Sequence, residues 1–148
     1  MTKTNKIGKV VLLLAMVAAT VHGTHSDYLT RLHIFAGTPY MTLTCSRYIV
    51  RAHGGPKPHC GGAAGMWNGC NGHMEVVAQF ASRAQINAAV LQAGDVLDFN
   101  GHHVAAFVGD GFMDSDPAHN GVARIDLGSK GGDLWFAGQV RILRWRTV

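Results

Sequence analysis

Four residues of this chain could do chemistry together: a lone cysteine heading a short apolar helix pattern, a histidine at the start of a strand, and two aspartates on the next strand. Cys45, Tyr48, Ile49 and Ala52 recur at i, i+3, i+4 and i+7. That spacing predicts a helix with one packed face, led by Cys45. Thr44 is the expected N-cap, its hydroxyl accepting from a first-turn amide. Gly54 is the expected residue just past the helix end, where positive φ is needed. The positive end of the helix macrodipole favours a thiolate over a thiol. The competing reading makes Cys45 a small buried apolar residue.

The Asp110-Gly111 hairpin signal, taken literally, sets Phe107 against Asp114 and Ala105 against Asp116, with His103 beyond. Period-two alternation then puts His103, Ala105, Phe107, Asp114 and Asp116 on one sheet face. If the Cys45 helix packs on that face, a nucleophile, a base and an orienting group meet. The thiolate would attack a carbonyl, the imidazole would protonate the leaving amine, and a carboxylate would hold the ring. Asp114 is the candidate third group. Asp116 is its rival, being nearer His103 in the literal register. The oxyanion would be received by the Cys45 amide and the Tyr40 hydroxyl. Trp67, in a Gly-rich stretch, either stacks on substrate or covers the core. His102 and Ser115 alternate to the opposite face. Asp95 and Asp98 read as turn and strand-surface residues. His53, His59, His73 and His119 read as surface or loop groups, with His119 close enough to a strand end to touch substrate.

The elements that must position these groups follow in order. Residues 24–36 read as a short helix, and 54–73 as a long Gly-rich loop with Pro56 and Pro58. Residues 74–90 read as a second amphipathic helix on Val76, Val77, Phe80 and Ala84. Short strands come next, at 96–99, 103–108, 112–116, 122–127 and 140–145, with Asn100-Gly101 as a further hairpin signal. Helices followed by an antiparallel sheet make an α+β domain.

The chain has 148 residues. Residues 1–23 have the pattern of a secretory signal peptide: Lys3, Lys6 and Lys9, then an apolar run, then Val21-His22-Gly23. Residues 24–148 are expected to form one domain, secreted and, by default, monomeric. The three lysines supply most of the +4 formal charge, and the rest of the chain is close to neutral. Nothing in it calls for a nucleic-acid partner or membrane insertion. Arg141, Arg144 and Arg146 read as the solvent side of a strand. Of the three cysteines, Cys60 and Cys70 are expected to pair in an oxidising compartment, leaving Cys45 free. The alternative uses His59-Cys60 and Cys70-x-x-His73 as zinc ligands. No metal or organic cofactor is expected.

Several of these motifs resemble a known family. They are Gly37-Thr-Pro-Tyr40, Cys45-Ser46, the run Ala93-Gly-Asp-Val-Leu-Asp-Phe99, and the run from His103 through Gly109-Asp-Gly111 to Asp114. Together they resemble the NlpC-type cysteine peptidases of bacterial peptidoglycan. The resemblance spans roughly residues 33–145. It implies a papain-like α+β fold, with the nucleophile helix packed on a small antiparallel sheet, and hydrolysis of amide bonds in cell-wall stem peptides. Cys45 matches the nucleophile, His103 the base and Tyr40 the tyrosine of the oxyanion site. Asp114 falls where the family carries its third polar residue, often a histidine, if one turn residue is missing. The chain departs from the pattern at Met41-Thr-Leu-Thr44, which is short, and at Arg47, where glycine is common. The compact size resembles the amidase effectors of type VI secretion. With a signal peptide, the chain resembles their domesticated relatives secreted by arthropods such as ticks as antibacterial enzymes. The resemblance implies peptidoglycan as partner and the diaminopimelate–D-alanine cross-link as the bond cut. The alternative is a peptidoglycan-binding module that kept the fold and lost catalysis, which would have no need for an unpaired thiol.

Overall fold

A computed structural model describes residues 24–54, 59–128 and 134–147. The signal-peptide pattern at 1–23 lies outside these residues. Two helices come first: α1 (His25–Ile34) and α2 (Cys45–His53). A short third helix, α3 (Gly62–Trp67), follows. Six strands then form one antiparallel sheet: β1 (Met74–Phe80), β2 (Val96–Phe99), β3 (His103–Phe107), β4 (Phe112–Asp116), β5 (Gly121–Ile125) and β6 (Val140–Trp145). Their order across the sheet is β1-β6-β2-β3-β4-β5. The expected α+β class holds. No helix among the described residues is long and apolar enough to cross a membrane.

α1 begins with a capping box, Thr24 and Asp27 exchanging bonds with each other's backbone. α2 ends on Gly54 at φ 73°, as its sequence requires. Tyr28 and Leu32 of α1 and Tyr48, Ile49 and Ala52 of α2 are buried with Val104, Ala106, Met113, Leu143 and Trp145 from one sheet face. Two buried hydroxyls fix these layers: Tyr48 donates to the Leu32 carbonyl (2.7 Å) and Tyr28 to the Gly94 carbonyl (2.9 Å). The other sheet face carries Leu97, Phe99, Ala105, Val140 and Ile142, covered by Phe136 and Trp135. The central strands are therefore buried on both sides, which is why β2 and β3 read as nearly continuous apolar runs.

The sequence reading of 74–90 as a helix is overturned. Met74 to Phe80 is an edge strand, followed by two single-turn 3-10 segments, Arg83–Gln85 and Ala88–Val90. β1 pairs with β6 through a bulge between Val76 and Ala78. The extra residue, Val77, breaks period-two alternation, so the apolar residues take on a false helical spacing. The stretch 54–73 also carries more structure than the loop expected there. It holds α3 and a 3-10 turn at Cys70–Gly72, and the expected Cys60–Cys70 disulfide brackets α3. Pairing of these two cysteines excludes the zinc arrangement.

Asp95 and Asp98 are buried and not on the surface. Asp95 receives a two-pronged bond from Arg144, Nε and Nη2 each at 2.8 Å. Asp98 accepts from the Gly101 amide (2.9 Å) in the β2–β3 turn. Burial pushes its carboxyl up to about 7, against the pull of that bond and of the His103 and Arg141 charges. Arg141 and Arg144 are half-buried and bonded, so only Arg146 of the three is a solvent-side residue. In α3, Gly65 leaves no room for a side chain: an added Cβ would lie 1.4 Å from the Cys60 carbonyl oxygen. Gly65→Ala is expected to destabilise the domain by about 3 kcal/mol, read as a lower urea midpoint with unchanged slope.

Candidate active site

The register of β3 and β4 decides which side chains meet. Phe107 faces Phe112 and Ala106 faces Met113, two residues short of the literal Asp110-Gly111 hairpin. The connection is longer because Phe107 is still held to the β2 end, accepting from Gly94 N (2.6 Å) and donating to Asp95 O (2.8 Å). Only Val108 to Gly111 turn, closed by the Val108 amide on the Gly111 carbonyl (2.9 Å). A shift of two keeps every side chain on its expected face, whereas a shift of one would have inverted them. His103 thus shares a face with Ala105, Asp114 and Asp116.

α2 does not pack on that face. It lies over Val104, Ala106 and Met113, which alternate with His103. The site assembles at the strand ends instead. Among the described residues β3 and β4 pair only at Ala106–Phe107, well short of His103. The Ser115 hydroxyl, pointing to the helix face, donates to the Leu43 carbonyl and ties the approach to α2 onto β4. Cys45 then begins α2 with a free, half-buried thiol that acts on the His103 ring by hydrogen bonding and by charge.

His103 is 1% exposed and Asp114 is fully buried. His103 Nε2 lies 2.7 Å from Asp114 Oδ2, which leaves Nδ1 as the ring nitrogen for the thiol. The ring is walled by Trp135 and Phe136, with centroids at 5.4 and 5.6 Å. Burial alone would push the ring down, but bonds to Asp114 and Cys45, with their charges, outweigh it and raise it to about 9. Burial also pushes the Asp114 carboxyl up, against the bond and charge of His103 and the charge of His119. His119 Nε2 is 3.1 Å from Asp114 Oδ1, within ion-pair distance but without hydrogen-bond geometry, so that buried oxygen has no hydrogen-bond partner.

Thr44 is extended, at φ −65° and ψ 169°, but its side chain makes no cap bond. The expected cap is absent, so the Thr44 hydroxyl does not satisfy a first-turn amide. Tyr40 is brought to the same place by a turn docked on β5: Gly37 N donates to Val122 O (2.8 Å) and Val122 N to Thr38 O (3.0 Å). Burial, with the charges of Cys45 and Asp116, pushes the Tyr40 hydroxyl up, so it keeps its proton and can donate. Trp67 is engaged elsewhere. Arg141 stacks on its ring at 4.3 Å and donates to its carbonyl (2.8 Å), and its base lies near Gly101. These contacts make it a cover over the β2–β3 turn. Exposed His102 follows its expected orientation. His53, expected at the surface, instead stacks on Trp145 at 4.1 Å.

Two site residues, Trp135 and Phe136, escaped the sequence reading, and His119 was read only as a surface or loop group near enough to touch substrate. His119 had a signal: Asp116-Pro117 starts a 3-10 turn, with Asp116 Oδ1 accepting from Ala118 N (2.6 Å), and that turn folds His119 back over β4. Trp135 and Phe136 sit between Gly-rich segments and carried none. His103, Asp114 and Asp116 also bring one donor atom each within 4.8 Å of one another, a set able to hold a divalent cation. Among family models, curated proteins and solved structures, none matches the chain.

A thiol, an imidazole and a carboxylate in series, with an amide and a phenol beside them, can carry out nucleophilic acyl substitution. By NMR, the His103 ring is expected to titrate near 9, and Asp114→Asn to bring it down towards its ordinary 6.5. The raised value stabilises the fold fully below 6.5, and that share is lost as pH rises through about 9. Asp114→Asn should therefore cost more stability at pH 6 than at pH 10.

Proposed function

We propose that the protein is a cysteine amidase that cuts peptide bonds in bacterial peptidoglycan on a papain-like, NlpC-type scaffold. The observation that carries the reading is the one free thiol among the three cysteines, heading a helix beside a buried histidine whose proton affinity it raises and that a buried aspartate holds. Substrate choice rests on the resemblance of the Gly37–Tyr40, Cys45, 93–99 and 103–114 motifs to that family. The Cys60–Cys70 bridge and the pattern of residues 1–23 support action outside the cell.

In this reading Cys45 attacks the scissile carbonyl carbon. The developing oxyanion is received by the Cys45 amide and the Tyr40 hydroxyl. The His103 imidazolium gives its proton to the leaving amine, and a thioester forms. Water, deprotonated by the now neutral ring, cleaves the thioester and restores the thiol. Asp114, bonded to Nε2, keeps Nδ1 facing sulfur. Trp135 and Phe136 exclude water from the ring.

A second reading is favoured by Asp116, whose carboxylate completes the His-Asp-Asp donor set. A hydrolase using a bound cation would need that set and not the thiol. The experiment incubates the chain from Thr24 onward, and its Cys45→Ala variant, with purified diaminopimelate-type sacculi and resolves the released muropeptides. Loss of cross-linked dimers is expected with the wild type alone, the variant being slower by about a thousandfold or more. EDTA is expected to leave the rate unchanged. Inactivation by EDTA with survival of Cys45→Ala would overturn the thiol reading. Unchanged muropeptides with both proteins, while both pellet with sacculi, would favour a binding module.

A further inference from the structure

The site above leaves one space unused. A cavity of about 610 Å³ runs from the first turn of α2, at Thr44 and Ser46, along Arg47 and Arg51 on the helix flank, to His59. Thr44 and Ser46 are the chain neighbours of Cys45, so the cavity begins at the same end of α2 as the thiol, with Cys45 itself outside its lining. No acidic side chain lines it among the described residues.

Its two arginines differ from the other described arginines. Arg31, Arg124, Arg141, Arg144 and Arg146 are bonded to carbonyls or acids, and Arg83 is engaged as well. Arg47 and Arg51 have no partner among the described residues. They are exposed and four residues apart, so like charges face each other on one flank, which works against the helix. Arg47 also lies in the first turn, where the macrodipole disfavours a cation and no acid offsets it. Two uncompensated guanidiniums thus border a cavity at the end of α2 that carries Cys45.

We infer that this cavity takes a free carboxylate of the substrate peptide, carried near the bond cut; the inference rests on the amidase reading of the site. A guanidinium presents two parallel N–H donors that match a carboxylate, which a neutral amide group cannot satisfy equally. Stem peptides carry such carboxylates at their D-alanine ends. The cavity would therefore favour peptides whose carboxylates are free over those in which they are amidated.

Cys45 serves as its own reporter. Iodoacetate and iodoacetamide both form a sulfur–carbon bond and release iodide, but only the first is an anion. The ratio of their alkylation rates at Cys45 is measured in the chain from Thr24 onward and in Arg47→Gln/Arg51→Gln. Both positions are exposed, so the core is untouched. Loss of two charges near the thiol is expected to lower the iodoacetate-to-iodoacetamide ratio about fivefold, and high salt to lower it in the wild type. An unchanged ratio in the double variant overturns the inference. In a second arm, kcat/KM is compared for muropeptides with free and with amidated carboxylates. The wild type is expected to prefer the free form and the double variant to lose that preference; a preference that survives loss of both guanidiniums overturns the inference. Should the wild type cut neither peptide, the amidase reading fails, and the alkylation ratio alone decides whether the cavity attracts an anion.

Discussion

The buried contact between His103 and Asp114 is the constraint around which this fold is arranged. A carboxyl with no solvent exposure cannot stay ionised without a cation or donors close by. Asp114 has the His103 hydrogen bond on one oxygen and His119 Nε2 3.1 Å from the other, and the His103 bond does not survive if the strands change register. The rest of the chain works to keep that geometry. The Pro117–His119 turn returns one histidine to the carboxylate. The β2 end holds Phe107 so that β3 reaches the site in phase. Trp135 and Phe136 keep the ring dry, which strengthens every charge around it.

The Cys45 thiol reaches this pair from the opposite side of the sheet. α2 is fastened by Tyr48, Ile49 and Ala52 to the face that alternates with His103, so the three side chains meet at an edge and not in the middle of a layer. The Ser115–Leu43 bond is what joins the two halves. Precision here comes from a rigid helix and a rigid sheet meeting at one point, with the first turn of α2 uncapped by the Thr44 hydroxyl.

Much of this was legible in the sequence because it depends on parity and spacing. His103, Asp114 and Asp116 share a face in the literal hairpin and in the observed one, since the register moved by an even number. Cys45, Tyr48, Ile49 and Ala52 repeat at helical spacing, and the two remaining cysteines pair as expected. What was lost depends on tertiary context. One bulge at Val77 made an edge strand look helical. The fate of Thr44 turns on what lies beyond its hydroxyl. Trp67 was open between two roles until Arg141 arrived from a strand 74 residues away. Asp95 and Asp98 look like surface acids beside turns, and their burial is set by Arg144 and by α3 lying across β2.

The strand order has a consequence for how the molecule comes into being. β6, although last in sequence, lies between β1 and β2. A nascent chain that has reached residue 139 therefore has two unjoined sheet edges and no support beneath Trp145, Tyr28 and the helices that rest on them. Its stabilising contacts are long-range, and loop closure must be paid for before they form. The thiol, the ring and the carboxylate thus come together only after β6 is available.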